Sequence, residues 1–156
     1  MKYLATVILL LTLVACGYHF PGQGGALPGD VKKVYIPLFT NDTSKPRIET
    51  QISDDVSLVF ARNKNISLVD SLSQAEATLT GVISSYDTRA LSYSNDDSIS
   101  QYRATMTIDV ALRQVSDGRL LWEGTLKWND KFIASDDKTV QSDFEDEAIR
   151  EISTRL

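Results

Sequence analysis

From Gln101 to Arg113 the chain alternates without a break. Tyr102, Ala104, Met106, Ile108, Val110 and Leu112 are apolar, and Arg103, Thr105, Thr107, Asp109, Ala111 and Arg113 lie between and after them. A period of two puts one set on a core and leaves the other toward water or a ligand. A second run follows, with Leu120, Trp122, Leu126 and Trp128 set against Glu123, Thr125, Lys127, Asn129 and Lys131. A two-residue loop at Asp117-Gly118 would pair Leu112 with Glu123, apolar over charged. A three-residue loop, Ser116-Asp117-Gly118, pairs Leu112 with Trp122, Ile108 with Leu126 and Met106 with Trp128. Register follows the hydrophobic pattern, and a turn closed by a left-handed Gly is a common three-residue hairpin. The three-residue loop is therefore expected, with both Trp side chains on the core.

Residues 31–39 read as an earlier strand, with Val34, Ile36 and Leu38 on one face and Pro37 suited to an edge or an end. Pro46 can open a helix at its first position. Ile48, Ile52, Val56, Val59 and Phe60 form its apolar stripe, and Asn63-Lys64-Asn65 ends it. Residues 66–69 are a short extension or strand. Residues 75–91 form a strand with Ala77, Leu79 and Ile83 on one face, and residues 92–98 a polar loop tip. Ser142-Asp143-Phe144-Glu145 is a capping-box pattern that predicts a last helix with a stripe of Phe144, Ala148, Ile149, Ile152 and Leu156. The order strand, helix, three strands, helix predicts an α+β fold. Two helices pack on one face of a four-stranded, largely antiparallel or mixed sheet, and the other face stays polar.

The N-terminus has a different character. Lys2 precedes an uncharged run from Tyr3 to Ala15, too short to span a bilayer comfortably and of the form of a secretory signal peptide. Leu13-Val14-Ala15-Cys16 looks like a bacterial lipobox, so Cys16 is the expected site of lipid attachment after removal of residues 1–15. Two or three acyl chains anchor stably where one does not. Gly17, where retained lipoproteins of enteric bacteria commonly carry Asp, permits export to the outer membrane by analogy. Residues 16–30, rich in Gly and Pro, read as a linker, and residues 31–156 as a single domain.

Composition narrows the chemistry. Sixteen Lys and Arg stand against twenty-one Asp and Glu, a formal charge of −5. Loss of residues 1–15 removes Lys2 and leaves −6. No basic run occurs, which counts against nucleic acid as a partner. One Cys excludes an internal disulfide and a multi-thiolate metal site, and the lone His19 sits in the linker. Asn95-Asp96-Asp97 and Asp136-Asp137 supply carboxylates that read as turn residues rather than a catalytic pair. No catalytic, cofactor or metal site is expected. The polar sheet face offers more. In the expected register Arg103 lies opposite Lys131 and Thr107 opposite Lys127. Arg103, Lys127 and Lys131 thus form a candidate anion-binding patch.

Four stretches together resemble one family. They are Cys16-Gly17-Tyr18-His19-Phe20, the run from Val34 through Phe39-Thr40-Asn41-Asp42 to Thr43, the strand from Gln101 to Leu112, and Asp117-Gly118-Arg119-Leu120-Leu121-Trp122-Glu123-Gly124. The sequence is similar to the lipopolysaccharide-assembly lipoproteins of the LptE family. The resemblance implies a non-enzymatic lipoprotein, anchored in the outer membrane and facing the periplasm. It would plug the large β-barrel LptD, support lipopolysaccharide insertion into the outer leaflet, and bind lipopolysaccharide. Tyr93-Ser94-Asn95-Asp96 holds no cation where some members of the family have a ligand-contacting one. The competing expectation is a stand-alone tethered carrier of lipid or glycan. It needs an apolar cavity, and the sequence shows no apolar residues beyond those of one core. A hydrolase using the loop carboxylates would need a cleft that gathers them.

Overall fold

Three long strands carry the alternation seen in the sequence. In the computed structural model, which describes residues 27–93 and 99–154, these are β4 (Ala77–Tyr93), β5 (Ile99–Gln114) and β6 (Leu120–Ile133), joined as an antiparallel meander. The earlier elements are β1 (Lys33–Tyr35), β2 (Thr40–Asn41), α1 (Ile48–Ala61) and β3 (Ser67–Leu68), and α2 (Lys138–Ser153) closes the chain. The sheet has six strands in the order β3-β1-β4-β5-β6, and β2 also pairs with β4. β1, β2 and β3 pair in parallel, so the sheet is mixed. The α+β class and the two helices match expectation. The strand count corrects from four to six.

One residue explains the first of the extra strands. Tyr35 pairs with Thr78 and Thr40 with Val82, so four residues on one side span three on the other. The extra residue bulges the chain beside Pro37 and reverses its alternation beyond. Leu38, expected on the core, is 63% exposed, and Phe39 is buried in its place. The Phe39 ring lies against Gly81, where an added Cβ would come within 2.3 Å of it. The Phe39 amide donates to Ser53 Oγ at 2.9 Å, which in turn donates to the Glu49 carbonyl. Asn41 ties down the turn that follows. Its amide donates to the Lys45 carbonyl and Glu49 Oε2, and its Oδ1 accepts from the Thr43 amide and hydroxyl. Pro46 therefore lies in this turn, and α1 starts at Ile48 rather than at Pro46.

The β5–β6 register is as expected: Leu112 faces Trp122, Ile108 faces Leu126 and Met106 faces Trp128. The loop is not. Gln114 pairs with Arg119 through the Arg119 carbonyl, so four residues, 115–118, make the turn, with Gly118 left-handed at φ 72°. A bulge at Leu121 then restores the pairing that the apolar faces demand. Both Trp side chains lie on the core side, yet Trp122 is 41% and Trp128 39% exposed.

The helix boundaries also shift. α2 begins a turn before the expected capping box, because Asp137 accepts from the amides of Thr139 and Val140 and Ser142 then falls inside the helix. Ala148, Ile149 and Ile152 are buried as expected, while Phe144 is 38% exposed. On α1, Ile48 and Ile52 are buried, Val56 and Phe60 pack beside the core, and Val59 is exposed. Residues 27–30, read as the end of the linker, include a turn of 3-10 helix at Pro28–Asp30, and Leu27 packs against the core. Residues 1–26, and with them the expected signal peptide, Cys16 and His19, lie outside the described residues, as do 94–98 and Leu156.

Candidate functional site

The polar face of the meander is set by β4, β5 and β6 together. β5 presents Arg103, Thr105, Thr107 and Asp109, and β6 presents Lys131, Asn129, Lys127 and Thr125 opposite them. The structure brings Arg103 and Lys131 together as direct cross-strand partners, both exposed. Lys127 also lies on this face, four residues along β6 from Lys131, which is about 13 Å at strand rise. It sits diagonal to Asp109 and is not gathered with the other two.

A residue missed by the sequence reasoning completes the row. Arg89 on β4 pairs with Arg103, so Arg89, Arg103 and Lys131 stand side by side across three strands. The reason for the miss is a bulge at Ser84. Ile83 pairs with Ile108, but Ser85 pairs with Thr107, which turns Asp87 and Arg89 to the polar face and Tyr86 to the core. Simple alternation from Leu79 and Ile83 would have buried Arg89. No cue in residue type marks the bulge.

Three like charges in direct cross-strand register repel one another and destabilise the sheet in isolation. Asp87 offsets one of them, its Oδ2 lying 2.6 Å from Arg89 Nε at an exposed position. Among the described residues Arg103, Lys127 and Lys131 have no ion-pair partner. Toward the other end of the face the sign reverses. Asp109 accepts from Thr125 Oγ1 at 2.5 Å, and bonds from Thr125 and then Ser84 hold its carboxyl below the usual carboxylate range. Glu123 stands one row further along. The face is thus bipolar, with hydroxyls of Thr105 and Thr107 between the ends.

Such a surface matches a partner with its own arrangement of charges, or anionic oxygens at the cationic end. Arg supplies a planar fork and Lys a point charge. Of the expected turn carboxylates, Asp136 lines a pocket with Ser135 and Gln141. Asp137 caps α2, Asp136 is exposed beside it, and Asn95-Asp96-Asp97 lie outside the described residues. Among the described residues no three His, Cys, Asp or Glu side chains cluster as metal ligands.

The sequence model of the family described as "LptE: Lipopolysaccharide-assembly" matches residues 31–156. No curated protein sequence gives a significant match. Among solved structures, the chain is similar to protein XCC0632 of Xanthomonas campestris, with a TM-score of 0.57, 13% identity and 81% of each chain covered. It is similar to PelC of Paraburkholderia phytofirmans, crystallised as a dodecamer, with a TM-score of 0.51, 15% identity, and 80% of this chain and 88% of that one covered. Lipoprotein GNA1162 of Neisseria meningitidis gives a TM-score of 0.50 at 9% identity, with 78% and 98% covered. At these identities the likeness is one of fold.

Proposed function

The chain belongs to the LptE family, a family of membrane-associated lipopolysaccharide-assembly lipoproteins, and from that premise we propose that it works as the lipid-anchored partner of an LptD-like outer-membrane β-barrel. Its role is structural and assembling rather than catalytic. Cys16 carries the lipid, the domain stands on the periplasmic side, and it occupies the barrel while lipopolysaccharide passes to the outer leaflet. The observation that carries the reading, beside the family, is the row Arg89–Arg103–Lys131. A like-charge row kept at a cost to the isolated domain is accounted for when a partner supplies the counter-charge. Acidic side chains lining the barrel and the phosphates of lipid A both fit.

The test is extraction of the native protein in mild detergent, which is expected to bring a large β-barrel with it. The variant Arg89→Glu/Arg103→Glu/Lys131→Glu reverses the row. Exposed pairs contribute about 0–1 kcal/mol each, so the triple change should weaken barrel association about tenfold. Circular dichroism should be unchanged. Undiminished recovery of the barrel and undiminished lipopolysaccharide binding, with the fold intact, would remove the row from the interface.

Anchoring has its own check. Mass spectrometry of the native protein should show residues 1–15 gone and fatty-acyl mass added at Cys16. A chain that keeps Met1, or one with an unmodified Cys16, rules the anchor out.

A further inference from the structure

On the other side of the sheet from the cation row, the core is not closed. Gly81, Val110 and Gly124 lie in one row across β4, β5 and β6. The two glycines leave space that aromatic rings take: Phe39 lies on Gly81 and Trp122 on Gly124, where an added Cβ would sit 2.8 Å from the indole. Between these rings, beneath α1, is a pocket of about 310 Å³. Its base includes Val110, Leu112 and Leu126, and α1 contributes Val56, Val59 and Phe60. This overturns the expectation that the sequence holds apolar residues for one core and none for a cavity. Phe39 and Trp122, seated on the two glycines, form walls of the pocket.

We propose that this pocket takes one acyl chain of a membrane amphiphile, with the headgroup left in water at the rim. The inference goes beyond the barrel-partner reading and rests on its Cys16 anchor, which mass spectrometry tests separately. Ligand pockets begin at about 300 Å³. The lining offers a polar ligand nothing. Ser153 is its one polar residue, and the Ser153 hydroxyl already lies against the Asp55 carboxylate and the Arg150 carbonyl. An apolar lining of this kind favours hydrocarbon over water. The rim is open, since Val59 and Trp122 both line the pocket and are 46% and 41% exposed. Leu27 and Pro28 also line it. The chain leading back to Cys16 leaves from there, eleven residues that reach at most about 40 Å. A lipid surface holding the anchor is therefore within reach of the pocket.

The experiment uses the full lipidated protein in vesicles of phosphatidylethanolamine and phosphatidylglycerol with deuterated chains. Val59→p-benzoylphenylalanine places a photoreactive group at the rim, and Lys127→p-benzoylphenylalanine places one on the opposite face. Irradiation should give a deuterated-lipid adduct from position 59 at least tenfold above that from position 127. Adding Val56→Trp, which fills the pocket, should abolish it. If circular dichroism shows that Val56→Trp disturbs the fold, Leu126→Phe serves as the filling variant. Equal adducts from both positions, an adduct persisting in the filled variant, a crosslink to the protein's own anchor chain or to residues 17–26, or no adduct would each overturn the proposal.

Discussion

Phe39→Ala is expected to cost about 3–5 kcal/mol, the range for losing a buried aromatic side chain. Total stabilities of about 5–15 kcal/mol leave little beyond that. The cost comes from the ring alone. It is buried to 3% exposure and lies on Gly81, while the backbone amide held by Ser53 survives the change. Gly81→Ala tests the arrangement more sharply, because its sign depends on Phe39. In the native protein the new Cβ meets the ring, and overpacking of this kind costs about 1–3 kcal/mol. In the Phe39→Ala background the ring is gone. There the same change relieves a strand of its glycine and should stabilise by about 0.5–1 kcal/mol. Urea midpoints of the four proteins give the cycle, provided the m-values agree. A Gly81→Ala change that costs the same in both backgrounds would show that the ring does not rest on residue 81.

How far the fold could be read from the sequence turns on bulges. The pairing of Leu112 with Trp122 and of Met106 with Trp128 was legible because β5 alternates unbroken and one face of each strand must be buried. The route by which the turn reaches that register, four residues and a compensating bulge at Leu121, was not. Neither was the extra residue beside Pro37 that buries Phe39 and exposes Leu38. A bulge is a single residue that inverts the faces of everything after it and leaves composition untouched. The same physics divides the candidate site. Arg103 and Lys131 were legible from β5 and β6, and Arg89 was hidden behind the bulge at Ser84. The start of α2 failed for another reason. Asp137 and Ser142 are both good caps, and the residues between them, Lys138 to Gln141, carry no break, so the helix forms from the earlier one. The pocket was illegible because its walls depend on Phe39 and Trp122 settling against two glycines, and glycine in a strand reads as weakness rather than as room for a neighbour's ring.

The bulge at Ser84 also places a tyrosine where loss of its proton opposes folding at high pH. It turns Tyr86 to the core side, where the phenol donates to Glu145 Oε1 at 2.7 Å, while Lys45 Nζ lies 2.9 Å from Glu145 Oε2 and 3.6 Å from Asp146. This network joins β4, the turn before α1, and α2. Burial first, then the bond to Glu145 and the charges of Glu145 and Asp146, push the Tyr86 hydroxyl well above its ordinary value of 10.0. Below pH 10 the phenol is protonated in both folded and unfolded chains, and its contribution is fully present. Above it the unfolded chain releases the proton and the folded chain does not, so stability falls as pH rises toward the folded value. The slope is at most about 1.4 kcal/mol per pH unit, and solvent screening reduces it because Tyr86 is partly exposed. Tyr86→Phe removes this component. At neutral pH it should cost about 1.5–3 kcal/mol, the value of a hydrogen bond to a charged group. Urea unfolding between pH 8 and pH 11 should therefore show the two stability curves converging as the pH rises. Parallel curves across that window would mean that Tyr86 does not hold its proton against Glu145.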